Sequence, residues 1–185
     1  IGKALKNFLS KFTKNIINTS YESAELTKIS INLMLISSIT MTNVLSEICE
    51  KIDGDWDEIK RSLQLDKRIG KHAYLRPGLG ILSGNLQRDL VNLNEITNKY
   101  RLQFPNSILK ILRKYSNHKK NWILNILEKL KLSKNTKIGL LGLTYKENIN
   151  SLKNSPSIAL IKKLKNQFFN VYDPKIKNKL KFNNI

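Results

Sequence analysis

Residues 21–51 read YESAELTKISINLMLISSITMTNVLSEICEK, thirty-one positions without a glycine or a proline. Such a run predicts one continuous helix, which at 1.5 Å per residue extends roughly 45 Å. That is longer than an ordinary globular helix, and a helix of this length typically bridges domains or builds a dimer interface. Gly54 marks its end, and Asp55 with Glu58 three residues on has the form of a capping box opening a short helix through Leu63. Upstream, Ile1, Leu5, Phe8, Leu9 and Phe12 fall at helical spacing, and residues 15–19 read as a short strand. The chain starts at Ile1 in mid-pattern, which reads as a fragment or a truncated gene product.

Downstream, residues 65–85 hold Pro77 and the glycines Gly70, Gly78, Gly80 and Gly84, the composition of an irregular loop of the exposed, functional kind. A helix is predicted from Asp89 to Tyr100 with Leu90, Leu93 and Ile96 as its buried edge. Apolar spacing then continues from Pro105, a plausible helix start, to about Leu132, with a break near Asn117. At Ser133 the period changes. Residues 136–141 read as a buried strand, Ser155–Pro156 as an N-cap and first helical residue, and 168–172 as a second strand closed by Asp173–Pro174. Strand, helix, strand is the opening of a parallel α/β sheet. The fold expected is a mainly α central dimerisation domain with a long connecting helix, followed by the start of a Rossmann-like α/β domain. The expected boundaries are a preceding-domain tail at 1–20, the central domain at 21–133 and the last domain from 134 to 185.

The chain has 33 Lys and Arg against 14 Asp and Glu, a net charge of +19 and a pI near 10.0. A nucleic-acid partner is one reading of that charge. The lysines, however, are spread along the chain and do not alternate with aromatic residues as on a base-stacking platform. A basic surface equally suits a diphosphate-bearing substrate. No run reaches 18 uninterrupted apolar residues, so neither a nucleic acid nor a membrane is the expected partner. A single cysteine, Cys49, excludes an internal disulfide, and its neighbours Leu45, Ile48 and Ile52 put it on an apolar helix face as a small core residue. His72 and His118 have no ligand spacing, so no metal is expected.

Three motifs stand in order. The first is Glu25-Leu26-Thr27-Lys28 with Asn32, where the i, i+4 spacing sets Lys28 and Asn32 side by side. The second runs from Arg68-Ile69-Gly70 through Pro77-Gly78-Leu79-Gly80 to Gly84-Asn85-Leu86-Gln87-Arg88-Asp89. The third is Leu141-Gly142-Leu143-Thr144-Tyr145-Lys146, then Lys153-Asn154-Ser155-Pro156, then Tyr172-Asp173-Pro174. Together they resemble the UDP-glucose/GDP-mannose dehydrogenases over most of residues 20–175. That family shows ELxKxxxN, then RIG and SCFxKD, then LGLxFK, RxSP and a strand ending in DP.

The resemblance implies NAD-dependent oxidation of a nucleotide sugar such as UDP-glucose, in a cytoplasmic homodimer formed through the long helix. It implies that Lys28 and Asn32 stand beside the reacting carbon, where an ammonium and an amide can hydrogen-bond a developing oxyanion, and that Asp89 assists the lysine with protons and water. Arg68 corresponds to an arginine reaching the sugar nucleotide of the neighbouring subunit. Tyr74, Leu75, Gly78, Gly80, Tyr145 and Lys146 fall at substrate-binding positions. Lys153 takes the place of the RxSP arginine toward the cofactor, keeping its charge and losing its two-pronged geometry.

The departure lies at Asn85, which occupies the position of the family's nucleophilic cysteine. An amide cannot form the adduct that a thiolate forms with an aldehyde. Leu82 and Ser83 also replace glycines of the family's loop. The dinucleotide fingerprint is missing, since Gly78, Gly80 and Gly84 give only G-x-G-x-x-x-G after a proline, and the NAD domain is expected before Ile1. Two rivals follow: a catalytically inactive homologue acting as a nucleotide-sugar-binding or assembly module, and a basic helical nucleic-acid-binding protein.

Overall fold

The computed structural model describes residues 2–133, 136–164 and 167–176. Helix α1 spans Lys3–Leu9, but residues 15–19, expected as a strand, form neither strand nor helix. Helix α2 runs Tyr21–Lys51 as the sequence indicates, opened by Ser20, whose hydroxyl accepts the Ser23 amide at 3.2 Å. At its end the left-handed residue is Asp53 (φ 55°), not Gly54, and the Gly54 amide bonds back to the Cys49 carbonyl at 3.0 Å. Gly54 is needed for space, because a Cβ there would lie 3.1 Å from the Cys49 sulfur. Cys49 itself is buried.

Helix α3 covers Trp56–Leu65, slightly beyond the expected Leu63, with the Asp55 carboxylate accepting the Asp57 amide at 2.7 Å. Helix α4 is Gly84–Lys99, five residues longer at its start than the sequence suggests. Gly84 and Asn85 are turn-forming types and hide the start, while Leu86, Leu90, Leu93 and Thr97 keep one helical face against the core. Thr97, not the more exposed Ile96, completes the buried edge. Asp89 is therefore in the second turn and is not a cap.

Helix α5 is Gln103–Lys120, with Pro105 third in line, where a missing amide costs no helical bond. The break before α6 (Trp122–Lys129) falls at Asn121 rather than Asn117, and the left-handed Lys131 (φ 47°) closes α6. Strands β1 (Lys137–Leu141) and β2 (Phe168–Tyr172) pair in parallel, Leu140 opposite Val171, with α7 (Pro156–Lys163) crossing between them. The Ser155 hydroxyl caps α7 by accepting the Ile158 amide at 3.0 Å. Of β1 only Leu140 is buried, so the expectation of a buried strand holds on one face alone; α7 covers that side.

Two hydrophobic clusters result. Ile36 of α2, Ile81, Leu90 and Leu93 of α4, and Leu109 of α5 form the larger. Leu140, Leu143 and Ile161 form the smaller, with Phe169 and Val171 against it. Ile36 and Ile81 are 0 % and 2 % exposed, each stabilising the fold by about 2–3 kcal/mol. By length and mean hydropathy alone (1.4 over 18 residues) α2 is long and apolar enough to cross a bilayer, as the core helix of a globular fold can also be. The reason is that it is apolar on two sides: one side enters the core, while Ile31, Met34, Met41, Leu45 and Ile48 lie exposed on the other.

The segment between α3 and α4 has no regular structure, yet side chains from three helices hold its backbone. Thr42 donates to the Tyr74 carbonyl (2.9 Å), the Gly78 amide donates to buried Asn43 (2.8 Å), and Trp56 donates to the Leu75 carbonyl (3.1 Å). The Ile81 amide donates to the Ser116 hydroxyl at 2.8 Å. That last bond brings the backbone at Gly80 (φ 78°) so close to α5 that a Cβ would sit 2.7 Å from the Ser116 carbonyl oxygen. Gly80→Ala combines left-handed strain with a backbone clash and is expected to lower stability by about 2–4 kcal/mol. Urea denaturation checks it, and Gly78→Ala, where a Cβ meets nothing within 4 Å, serves as the comparison.

Candidate functional site

The long helix and α4 meet at a carboxylate. Asp89 is 5 % exposed, and its Oδ2 accepts a 2.5 Å bond from the Asn32 amide and lies 3.6 Å from the Lys28 ammonium. Its Oδ1 lies 3.3 Å from Arg88 Nε. The i, i+4 pair foreseen on α2 thus converges on one oxygen. The Asn32 hydrogen bond, with Arg88 and Lys28 behind it, holds the Asp89 carboxyl below the usual carboxylate range against the opposing effect of burial. A carboxylate so engaged remains ionised near neutral pH, where it is a weak base. It orients Asn32 and leaves that amide its second N–H.

One turn before Asp89 on the same helix, Asn85 is exposed and lines a cleft of about 810 Å³ with Arg88, Tyr145 and Lys153. An adjoining cleft of about 640 Å³ is lined by Tyr74, Gly78, Gly80, Tyr145 and Lys146. Ser83 and Tyr145 belong to both. Seven candidates, drawn from the second and third motifs, therefore surround one pair of clefts.

Lys28, Asn32 and Asp89 line neither cleft, and two further candidates lie elsewhere. Arg68 lines a different groove, about 870 Å³, beside Met34, His72 and Tyr74, and its exposed guanidinium pairs with Asp66 at 2.6 Å. The Leu75 carbonyl is occupied by Trp56, which makes this residue an anchor of the loop.

The loop carrying Tyr145 and Lys146 is fixed from below. Gly142 (φ 89°) donates its amide to the Tyr172 carbonyl (2.8 Å) and accepts the Ser157 hydroxyl (2.7 Å). The Leu143 amide donates to Asp173 at 2.7 Å, and the Lys175 and Ile176 amides donate to its other oxygen. Backbone amides, Leu143 first and then Lys175, lower the Asp173 carboxyl from its ordinary value. This is why the second strand ends in Asp173–Pro174. Sequence reasoning missed Thr42, Asn43, Trp56 and Ser116 as loop anchors. The available signal was a polar pair inside the apolar run of α2.

The described residues form no dinucleotide cradle of their own. Among the described residues no strand leads through G-x-G-x-x-G into a helix: Gly78, Gly80 and Gly84 precede α4 from a loop, and Gly142 leaves β1 well before α7 begins at Pro156. Nor do the described residues hold a group of three or more His, Cys, Asp or Glu arranged to hold a metal.

The description "UDP-glucose/GDP-mannose dehydrogenase family, central domain" matches residues 22–118, more than half of the chain, and the same family's "UDP binding domain" matches 139–184. The chain belongs to this family. A UDP-glucose 6-dehydrogenase of Rickettsia bellii (strain RML369-C) is 30 % identical over 163 residues, covering 86 % of this chain and 37 % of its own. UDP-glucose 6-dehydrogenase TuaD of Bacillus subtilis (strain 168) is 28 % identical, covering 88 % of this chain and 35 % of its own. The chain spans about a third of the length of these curated relatives. In fold it matches a UDP-glucose dehydrogenase of Pyrobaculum islandicum with a TM-score of 0.78 at 23 % identity, over 94 % of this chain and 41 % of that one. The UDP-N-acetyl-mannosamine dehydrogenase Cap5O of Staphylococcus aureus matches with a TM-score of 0.69 at 19 % identity, over 96 % of this chain and 40 % of that one.

Because the folded-state pKa of Asp89 is depressed, its stabilising contribution is complete above the ordinary carboxylate pKa of about 3.9 and is lost as pH falls through the folded value. Asn32→Leu removes the largest cause. The expected outcome is an upward shift of the Asp89 titration midpoint, read by NMR of its carboxyl carbon, and an acid-unfolding midpoint displaced to higher pH.

Proposed function

We propose that this chain is the central and sugar-nucleotide-binding part of an NAD-dependent dehydrogenase that oxidises the C6 alcohol of a nucleotide sugar of the UDP-glucose kind without a covalent enzyme intermediate. The observation that carries the reading is the junction of Lys28, Asn32 and Asp89 at the base of α4, one turn from Asn85 and the clefts lined by Tyr145 and Lys146. On this reading residues 1–20 end a preceding cofactor domain, 21–133 form the central domain and 134–185 begin the last.

Tyr74, Gly78, Gly80, Tyr145 and Lys146 bind the nucleotide end of the substrate, and Lys153 faces the cofactor. The Lys28 ammonium and the spare Asn32 N–H hydrogen-bond the sugar oxygen as negative charge develops on it. Asp89 supports both donors as an ionised partner, and the proton that the alcohol loses passes to water in the open cleft. Asn85 offers the aldehyde a hydrogen bond in place of a thiolate, so the aldehyde either leaves or adds water to become the gem-diol, which a second equivalent of NAD would oxidise to the acid. Arg68 acts across a homodimer whose contact is the exposed stripe of α2.

The second reading is a homologue that binds sugar nucleotides without turning them over. It is favoured by Asn85, whose amide cannot act as the nucleophile. The two separate in one experiment, in which the chain is joined to a dinucleotide-binding domain and supplied with UDP-glucose and NAD. The expected result is NADH formation with no sugar adduct on the intact protein mass, and a trapped adduct only in Asn85→Cys. UDP-glucose binding without NADH, unchanged in Asn85→Cys, would establish the second reading.

The dimer has its own test. Met34→Glu with Ile48→Glu places charge in the exposed stripe of α2, and light scattering is expected to fall from twice 21.3 kDa to 21.3 kDa.

A further inference from the structure

Adjoining the two clefts lies a further cavity, about 450 Å³, between the end of α5, α6 and the start of α7. Its apolar lining is Ile123, Leu124 and Leu160, partly buried, with the exposed Ala159, and Lys120 and Lys163 also line it. No acidic residue lines it. Among the described residues neither lysine pairs with a carboxylate; Lys120 donates to the Asn117 side chain (3.3 Å) and Lys163 to the Asn121 side chain (2.7 Å). Burial, and behind it the nearby Arg113 charge, lowers the Lys120 ammonium from its ordinary value. Lys120 is partly buried and Lys163 exposed; both line the cavity, and each donates to an amide, so both ammonium groups are available to an anion entering it.

The cavity also shares walls with the clefts. Leu79 and Leu82 line both it and the cleft of Tyr145 and Lys146, and Asn154 lines both it and the cleft of Asn85. We propose that this junction cavity binds a small amphipathic anion, a carboxylate or phosphate-ester head held by Lys120 and Lys163 with an apolar tail on Leu124 and Leu160, and that its occupancy acts on the substrate clefts through Leu79 and Leu82. The volume lies in the range of ordinary small-molecule sites. The proposal does not rest on the dehydrogenase reading, since its binding step needs neither sugar nor cofactor.

Octanoate, octyl phosphate and inorganic phosphate are titrated onto the whole chain, with backbone amide shifts and calorimetry as readouts. Both octyl compounds are expected to move the amides of Leu79, Leu82, Asn121 and Leu160, and to bind at least tenfold more tightly than inorganic phosphate. Lys120→Met with Lys163→Met is expected to weaken octanoate at least tenfold. Ala159→Phe, which fills the cavity and leaves both charges, is expected to abolish it while circular dichroism stays unchanged. Octanoate affinity that survives Ala159→Phe, or inorganic phosphate binding as tightly as octyl phosphate, would overturn the proposal in favour of simple attraction to a chain of net charge +19. Absence of shifts at Leu79 and Leu82 on saturation would overturn the coupling.

Discussion

A carboxylate taken out of water has to be supplied with donors, and Asp89 draws them from two helices at once. Its amide partner and its ammonium partner stand one turn apart on α2, and Asp89 itself lies one turn inside α4. The register between the two helices is thereby fixed to within a hydrogen bond. The apolar contacts of Ile36 with Leu90 and Leu93 press the same helices together but tolerate small slips. Directional bonding to one buried oxygen does not. The position of Asn85, and so of the cleft it faces, is inherited from that constraint.

The loop before α4 follows a similar rule. It has no ladder of its own, and its backbone groups are met by Thr42, Asn43, Trp56 and Ser116. The polar residues buried inside α2 are therefore no defect in a hydrophobic helix. The smaller α/β unit uses the same device at Asp173, a carboxylate that collects backbone amides from both sides and so holds the Tyr145 loop in place.

Much of this was legible in the amino-acid order. The span of α2 was readable from the absence of helix breakers, and the strand–helix–strand unit from the change of period at Ser133 and the Ser155–Pro156 pair. The meeting of Lys28 and Asn32 at Asp89 was foreshadowed by spacing on one side and by family resemblance on the other. What failed was local: the start of α4 was hidden because Gly84 and Asn85 favour turns, and tertiary packing of Leu86 overrode that preference. The loop anchors were illegible because they depend on which carbonyls and amides a folded neighbour leaves open. Arg68, expected to act on the neighbouring subunit, pairs with Asp66 two residues away and lies outside the clefts of its own chain.

Thr42 and Asn43, which order the loop, are interleaved on α2 with Met41 and Leu45 of its exposed stripe. A surface that covers the stripe steadies the helix turns from which those two bonds leave. In the proposed homodimer, where a second chain covers the stripe, loop order would follow protein concentration, and dilution would loosen the clefts without altering a residue in them.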